Sequence, residues 1–271
     1  QKINRIKTRS LGVSPSFQKT IRGLQSIVNR NLPAIILEGP PGAGRNSFAY
    51  ELHLMREKHG EFFELDLRFD REPFAKIFPQ EDGSAAGLLS YNSTVLLDHS
   101  ELGEDKLRTA LGKINWNNPG TFNGCLLILG TTSSQLARSL NQQFGLHCEK
   151  IPSLSERIED FSVLSRHFSR IAEASFHTNR LKLTPAVVKY LAHTDWPENI
   201  REFKSVLIEA LSLPKEMINF ESASAFPIAD NEQLEKAERI VLNLIFEAKQ
   251  RYERVMVDNE ISIRAPQMAF L

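Results

Sequence analysis

Gly39-Pro40-Pro41-Gly42-Ala43-Gly44-Arg45-Asn46 is the stretch on which the reading of this chain turns. It follows a short apolar run, Pro33 to Leu37, and precedes a helical pattern reaching about Lys58. Strand, glycine-rich turn and helix, in that order, are the setting of the phosphate-binding pattern G-x-x-x-x-G-K-[S/T]. Glycines let backbone N–H groups curl around a phosphate, and the helix N-terminus adds positive potential. The plain alternative is a glycine-rich turn with no ligand.

The glycines of the pattern, Gly39 and Gly44, are kept, with Gly42 between them, but its chemical residues are not. Arg45 replaces the lysine that contacts the outer phosphates. It keeps the charge on a bulkier, planar group that is not equivalent to an ammonium. Asn46 replaces the hydroxyl that ligates magnesium, and Ser47 comes one position late, turned about 100° away on a helix. The loop is therefore expected to hold ATP or ADP weakly, with little use for magnesium. A rival expectation is that Arg45 folds over the loop and takes the phosphate position itself.

Outward from the loop, Phe62 to Leu67, Thr94 to Leu97 and Leu126 to Leu129 read as further strands separated by helical stretches. Continuous apolar strands alternating with helices predict an α/β fold, a parallel sheet with helices on both faces. Ser14-Pro15 reads as an N-cap and first helical residue of a helix running to about Asn31. After about Leu154 the strands stop. Glu156 to Phe176 is helical, Thr184-Pro185 opens another helix, and Trp196-Pro197 precedes a third ending near Pro214. The expected organisation is a basic arm over 1–12, an α/β nucleotide-binding part over 13–152, an α-helical lid over 153–214, a linker over 215–230 and a C-terminal helical segment over 231–271. In that last segment Leu234 to Tyr252 forms one amphipathic helix, with another starting near Ile263.

Val95-Leu96-Leu97-Asp98-His99 has the apolar-run-then-acid pattern of a strand that presents a metal-binding carboxylate. Asp98 is the candidate metal ligand. A hydrolase needs a carboxylate next, to orient and deprotonate water, and here that position is His99. The bland reading is that Asp98 only closes the strand.

Composition bounds the rest. The chain has 271 residues, 41% hydrophobic and 24% charged, with 33 Lys plus Arg against 33 Asp plus Glu. These are ordinary values for a globular protein, and the neutral balance neither supports nor excludes nucleic-acid binding. No apolar run approaches the roughly 20 residues that span a bilayer. Two cysteines, Cys125 in an apolar run and Cys148, give no disulfide framework and no zinc spacing, so a reducing cytoplasm is expected.

These residues together resemble the AAA+ central domain of the NtrC-like, sigma-54-dependent transcriptional activators, over roughly residues 11 to 212. Leu11-Gly12-Val13-Ser14-Pro15-Ser16-Phe17-Gln18 is similar to the family's lead-in. Pro152-Ser153-Leu154-Ser155-Glu156-Arg157 is similar to its P-x-L-x-E-R turn. Trp196-Pro197-Glu198-Asn199-Ile200-Arg201-Glu202-Phe203 is similar to its W-P-G-N-V-R-E-L sensor II motif. The resemblance implies that Arg201 reaches nucleotide phosphate and that Thr131 or Thr132 serves as sensor I. Counting back from Pro152, the arginine-finger positions fall on Ala137 and Gln143, with Arg138 one residue from the first.

The departures weigh as much. With Arg45, Asn46, His99 and Gln143 in these places, ATP turnover is not expected. The stretch between Leu67 and Val95 holds nothing like the G-A-F-T-G-A loop that pushes on sigma-54. Gly83-Ser84-Ala85-Ala86-Gly87 lacks the aromatic. Arg9-Ser10-Leu11-Gly12 resembles, one residue short, the R-S-L-V-G lead-in of relatives that bind cyclic di-GMP. This names Arg9 and Ser10 as candidates for a cyclic dinucleotide, against a merely solvated basic arm. The helix from Leu234 resembles the first helix of a Fis-like DNA-binding domain, or else packs on the lid. The implied function is transcription regulation through a scaffold that oligomerises or senses a ligand. The implied partners are a second copy or an AAA+ ring, DNA and RNA polymerase, with no membrane. A slow ATPase and a nucleotide-free adaptor are the alternatives.

Overall fold

The computed structural model describes residues 10–57, 60–70, 72–77, 88, 92–114, 122, 124–176, 183–212 and 236–268. The chain forms two compact units, one of residues 1–10 and 15–156 and the other of 11–14 and 157–271.

In the first unit, helix α1 (Pro15–Asn29) leads to strand β1 (Ala34–Glu38), helix α2 (Arg45–Met55), β2 (Phe62–Asp66) and α3 (Pro73–Ile77). Strand β3 (Thr94–Asp98), α4 (Glu104–Gly112), β4 (Leu126–Thr131), α5 (Ser134–Phe144) and β5 (His147–Lys150) follow. The five strands are parallel in the order β2-β3-β4-β1-β5. Strand alternation divides the apolar runs between two cores. Ile36, Leu97 and Leu129 face Leu107, Leu111 and Leu140 on one side, and Ile35, Leu96 and Ile128 face Leu24, Phe48 and Leu52 on the other. Burial on both faces is why these strands read as unbroken apolar runs. Cys125 is buried in the first core, as expected.

The second unit is helical: α6 (Phe161–Phe176), α7 (Pro185–Ala192), α8 (Asn199–Ser212) and α9 (Lys236–Met268). Thr184 caps α7, its hydroxyl accepting from the Val187 amide, with Pro185 at the first turn. Phe203 of α8 gathers Phe161, Phe168 and Trp196 around it, with ring centroids 5.0 to 5.9 Å away.

Several expected boundaries shift. Helix α1 ends at Asn29 and α2 at Met55, where Arg56 turns extended and its side chain reaches the Thr94 hydroxyl at 2.7 Å. The helix expected from Glu156 starts at Phe161, because residues Ser155–Asp160 form a 3₁₀ turn with Arg157 out of helical geometry. The Ser14 hydroxyl donates to Asp160, in a cluster more demanding than a simple N-cap. A fifth strand, β5, was not foreseen. In place of a new helix near Ile263, α9 runs unbroken for 33 residues to Met268. The expected linker over 215–230, Leu234 and Arg9 lie outside the described residues.

Candidate functional site

In a parallel sheet the ligand crevice lies beyond the carboxyl ends of the strands. Here β1 runs into the glycine loop, β3 ends on Asp98 and β4 on Thr131. The Gly39 amide donates to the Thr131 carbonyl at 3.1 Å, which ties the start of the loop to β4. A Cβ at Gly39 would stand 2.8 Å from that of Ile151, so only glycine fits. Gly42 and Gly44 take φ of 70° and 102°, left-handed values that a side chain resists. Gly44 caps α2 by conformation and Arg45 begins it.

Arg45 is buried and folds back on the loop. Its Nε donates to Asp98 Oδ1 at 2.9 Å, and its Nη1 donates to the Gly39 carbonyl at 2.7 Å and the Pro40 carbonyl at 3.4 Å. Both side chains of the ion pair are nearly closed to solvent, at 3% and 7% exposure. The one cation of the loop is thus neutralised by the acid expected to hold magnesium. Asn46 does not face that acid either, since its Nδ2 donates to Glu64 of β2. Ser47 sits half-buried one step along α2.

Beyond Asp98 the chain takes a left-handed residue at His99, φ 57°. This places the imidazole between two carboxylates. Its Nε2 is 3.7 Å from Asp98 and its Nδ1 is 3.5 Å from Glu101. Both distances exceed a hydrogen bond, and Nε2 is buried with no partner among the described residues. Glu101 takes up the sensor I candidates: the Thr131 hydroxyl donates to it at 2.7 Å and the Thr132 hydroxyl at 3.0 Å. Burial pushes the Glu101 carboxyl up, but the neighbouring His99 imidazole and the hydrogen bonds from Thr131 and Thr132 outweigh it and hold it at about 2. Gly130 matters because a Cβ there would collide with the Asp98 carboxylate.

The structure therefore joins Gly39, Gly42, Gly44, Arg45, Asp98, His99 and Thr131 into one site. Glu101 is the member that sequence reasoning missed. It stands three residues after Asp98, but no pattern singles it out. Gln143, at a finger position, accepts from Arg108 of α4, and Arg138 bonds the carbonyl of Ser134 in its own helix. Ala137 is buried in the core. In the second unit Arg201 pairs at the surface with Glu198 at 2.8 Å. The rest of its motif is structural. Trp196 donates to the Leu191 carbonyl at 2.9 Å, and buried Glu202 pairs with Lys249 of α9, whose ammonium also lies 5.1 Å from the Trp196 ring. The Ser10 hydroxyl is buried without a partner among the described residues, and no His, Cys, Asp and Glu cluster there is arranged to hold a metal.

Such a sheet order, glycine loop and third-strand acid, followed by a helical unit, make up the AAA+ fold. A profile described as the AAA+ ATPase lid domain matches residues 155–236. NtrX from Brucella abortus, solved in complex with ATP, superposes with a TM-score of 0.61 at 17% identity, covering 95% of this chain and 64% of NtrX. The Thermotoga maritima RuvB Holliday junction branch migration motor gives 0.50 at 18%, covering 90% and 72%. In sequence, the putative transcriptional regulatory protein y4pA of Sinorhizobium fredii is 26% identical over 73% of this chain and 35% of its own length. XylR of Pseudomonas putida is 25% identical over 78% and 43%, and the DNA-binding transcriptional regulator NtrC of a Bradyrhizobium strain 27% over 77% and 49%. The chain thus has the AAA+ fold and is similar in sequence to these transcriptional regulators, and it spans less than half the length of the three. No described helix is long and apolar enough to cross a membrane.

Proposed function

We propose that this chain is the AAA+ scaffold of a bacterial transcription regulator, working in the cytoplasm, whose phosphate loop no longer serves hydrolysis. The observation that carries this reading is the Arg45–Asp98 ion pair. A magnesium nucleotide does not fit the residues present. Asp98 Oδ1 already accepts from Arg45, Asn46 is engaged by Glu64, and the position of the water-activating carboxylate is a histidine. Loss of an arginine finger alone costs on the order of 10³-fold or more in phosphoryl transfer, and the finger positions here are Ala137 and Gln143. The backbone amides of the loop and the start of α2 still favour an anion. ATP or ADP then binds weakly and largely without magnesium. Scaffolding would act through self-association, as a dimer or ring, with DNA held by a C-terminal segment and RNA polymerase as the downstream partner. Without a G-A-F-T-G-A loop the chain is not expected to melt promoters with sigma-54 polymerase.

Calorimetry with ATP and ADP, each with and without magnesium, tests the reading. Weak heat of equal size in both conditions is expected, with no turnover. Tight binding that vanishes without magnesium, or turnover near about 1 s⁻¹, overturns it. The same hydrogen bonds from Arg45 to the loop carbonyls also favour a second reading, an adaptor with a self-plugged loop. That reading requires silence in every condition, in the Arg45→Ala variant as well.

A further inference from the structure

The helical unit carries a groove of about 990 Å³ between α6 and α7 that the phosphate-loop chemistry does not use. It lies wholly within that unit and is independent of the state of the loop. Its floor is apolar, with Phe161, Val188 and Ala192 among the lining residues. Its α6 wall carries Ser162, Ser165 and Ser169, spaced three and four apart and so on one helix face. Ser165 is 1% exposed, and its hydroxyl has no hydrogen-bond partner among the described residues. A buried hydroxyl left unpaired is costly, and such a group in a concave site calls for a partner from outside the chain.

Charge gives the sign of that partner. Arg166 and Arg170 stand one turn apart on α6, with Lys189 on α7, and none of the three enters an ion pair among the described residues. Glu159 and Glu173 lie toward the two ends of the α6 wall, which leaves its middle cationic. His193, also in the lining, is engaged through Nδ1 with the Lys189 carbonyl at 2.7 Å. The volume matches sites for small organic ligands, which combine an apolar lining with a few polar groups that fix orientation.

We infer that this groove binds an organic anion: an apolar ring or chain on Phe161, Val188 and Ala192, with a carboxylate, sulfonate or phosphate between Arg166, Arg170 and Lys189. Ser165 supplies a hydrogen bond beneath it. Such a ligand would give the lid a sensing role separate from nucleotide.

The probe is 8-anilino-1-naphthalenesulfonate, titrated by fluorescence and by amide chemical shifts on labelled protein. Its neutral counterpart N-phenyl-1-naphthylamine serves as control. Expected are saturation at one site, shifts confined to α6 and α7, and affinity lowered about 10-fold by R166E/R170E and less by Ser165→Ala. The neutral probe should bind about 10-fold more weakly. Arg166 and Arg170 are exposed, so the double variant should keep the wild-type thermal transition, which is checked in parallel. Equal binding of the neutral probe, insensitivity to charge reversal, or shifts outside α6 and α7 would overturn the proposal. So would selective binding of an acidic helical peptide while the sulfonate probe stays silent.

Discussion

Arg157–Asp160 in the helical unit and Arg45–Asp98 in the α/β unit are both buried ion pairs, with contacts of 2.7 and 2.9 Å. They are built to different degrees of completion. Asp160 accepts from Arg157, from the Ser14 hydroxyl and from the Val13 and Ser14 amides, while Arg157 also donates to the Leu11 carbonyl. Every strong group has a partner, and the pair fastens residues 11–14 to the helical unit. Asp98 has one arginine contact, and the ring nitrogen beside its second oxygen stands 3.7 Å off, unpartnered. A saturated pair is architecture. An unsaturated one, at the carboxyl ends of parallel strands, marks a place shaped for other chemistry.

Removing half of the saturated pair should have the largest effect. Arg157→Ala leaves a buried carboxylate uncompensated and is expected to cost about 3–5 kcal/mol, read from urea unfolding. If its effect is small, the pair does not hold the lead-in segment. The sharper contrast comes from replacing both partners by apolar residues of similar size. R45M/D98L should be nearly neutral or stabilising, within about 2 kcal/mol, because beyond the pair only the Gly39 and Pro40 carbonyls lose a donor and no amide or hydroxyl is stranded. R157M/D160L should remain strongly destabilising, since it strands two amides and a hydroxyl. Equal outcomes for the two doubles would erase the distinction.

Acid titration gives a smaller effect. Glu101 is held at about 2, below its ordinary 4.5. A depressed carboxyl stabilises fully above its unfolded value, and the contribution is lost as pH falls from 4.5 towards 2. Partial exposure limits this to on the order of 1–2 kcal/mol. Thr131→Val should flatten the acid limb of a stability–pH curve. An unchanged limb would mean that the threonine is not what holds the carboxylate. Smallest of all, Arg201→Ala breaks a surface pair and should change stability by less than about 0.5 kcal/mol in the absence of ligand. A larger loss in thermal unfolding would make Arg201 a part of the architecture like its neighbour Trp196.

The fold was legible where burial is two-sided. Val95 to Leu97 and Leu126 to Leu129 announce themselves because both faces of those strands are covered. Strand β5 was not, because His147-Cys148-Glu149-Lys150 is a half-buried edge strand whose polar side chains erase the apolar signal. The 3₁₀ turn was hidden because the helical spacing of Ile158 and Phe161 continues across it. In the site, glycine spacing revealed the loop, and the altered residues Arg45, Asn46 and His99 set the expectation of lost hydrolysis. What sequence left open was the direction in which Arg45 points. The rotamer follows from three acceptors, Asp98, Gly39 and Pro40, that only folding brings together. Glu101 was invisible for the same reason, since its meaning lies in two threonines at and just beyond the end of β4.

On the proposed reading of the loop, the Arg45–Asp98 pair also governs which single substitutions the protein tolerates on a path to an ATPase. Arg45→Lys alone surrenders the planar fork that serves a carboxylate and two carbonyls at once. His99→Glu alone sets a third acid beside Asp98 and Glu101, where like charges raise one another's pKa. Each step is a loss taken by itself, and relief comes only when several are made together. On the proposed reading the site thus sits in a mutational basin that no single substitution toward an ATPase leaves without cost.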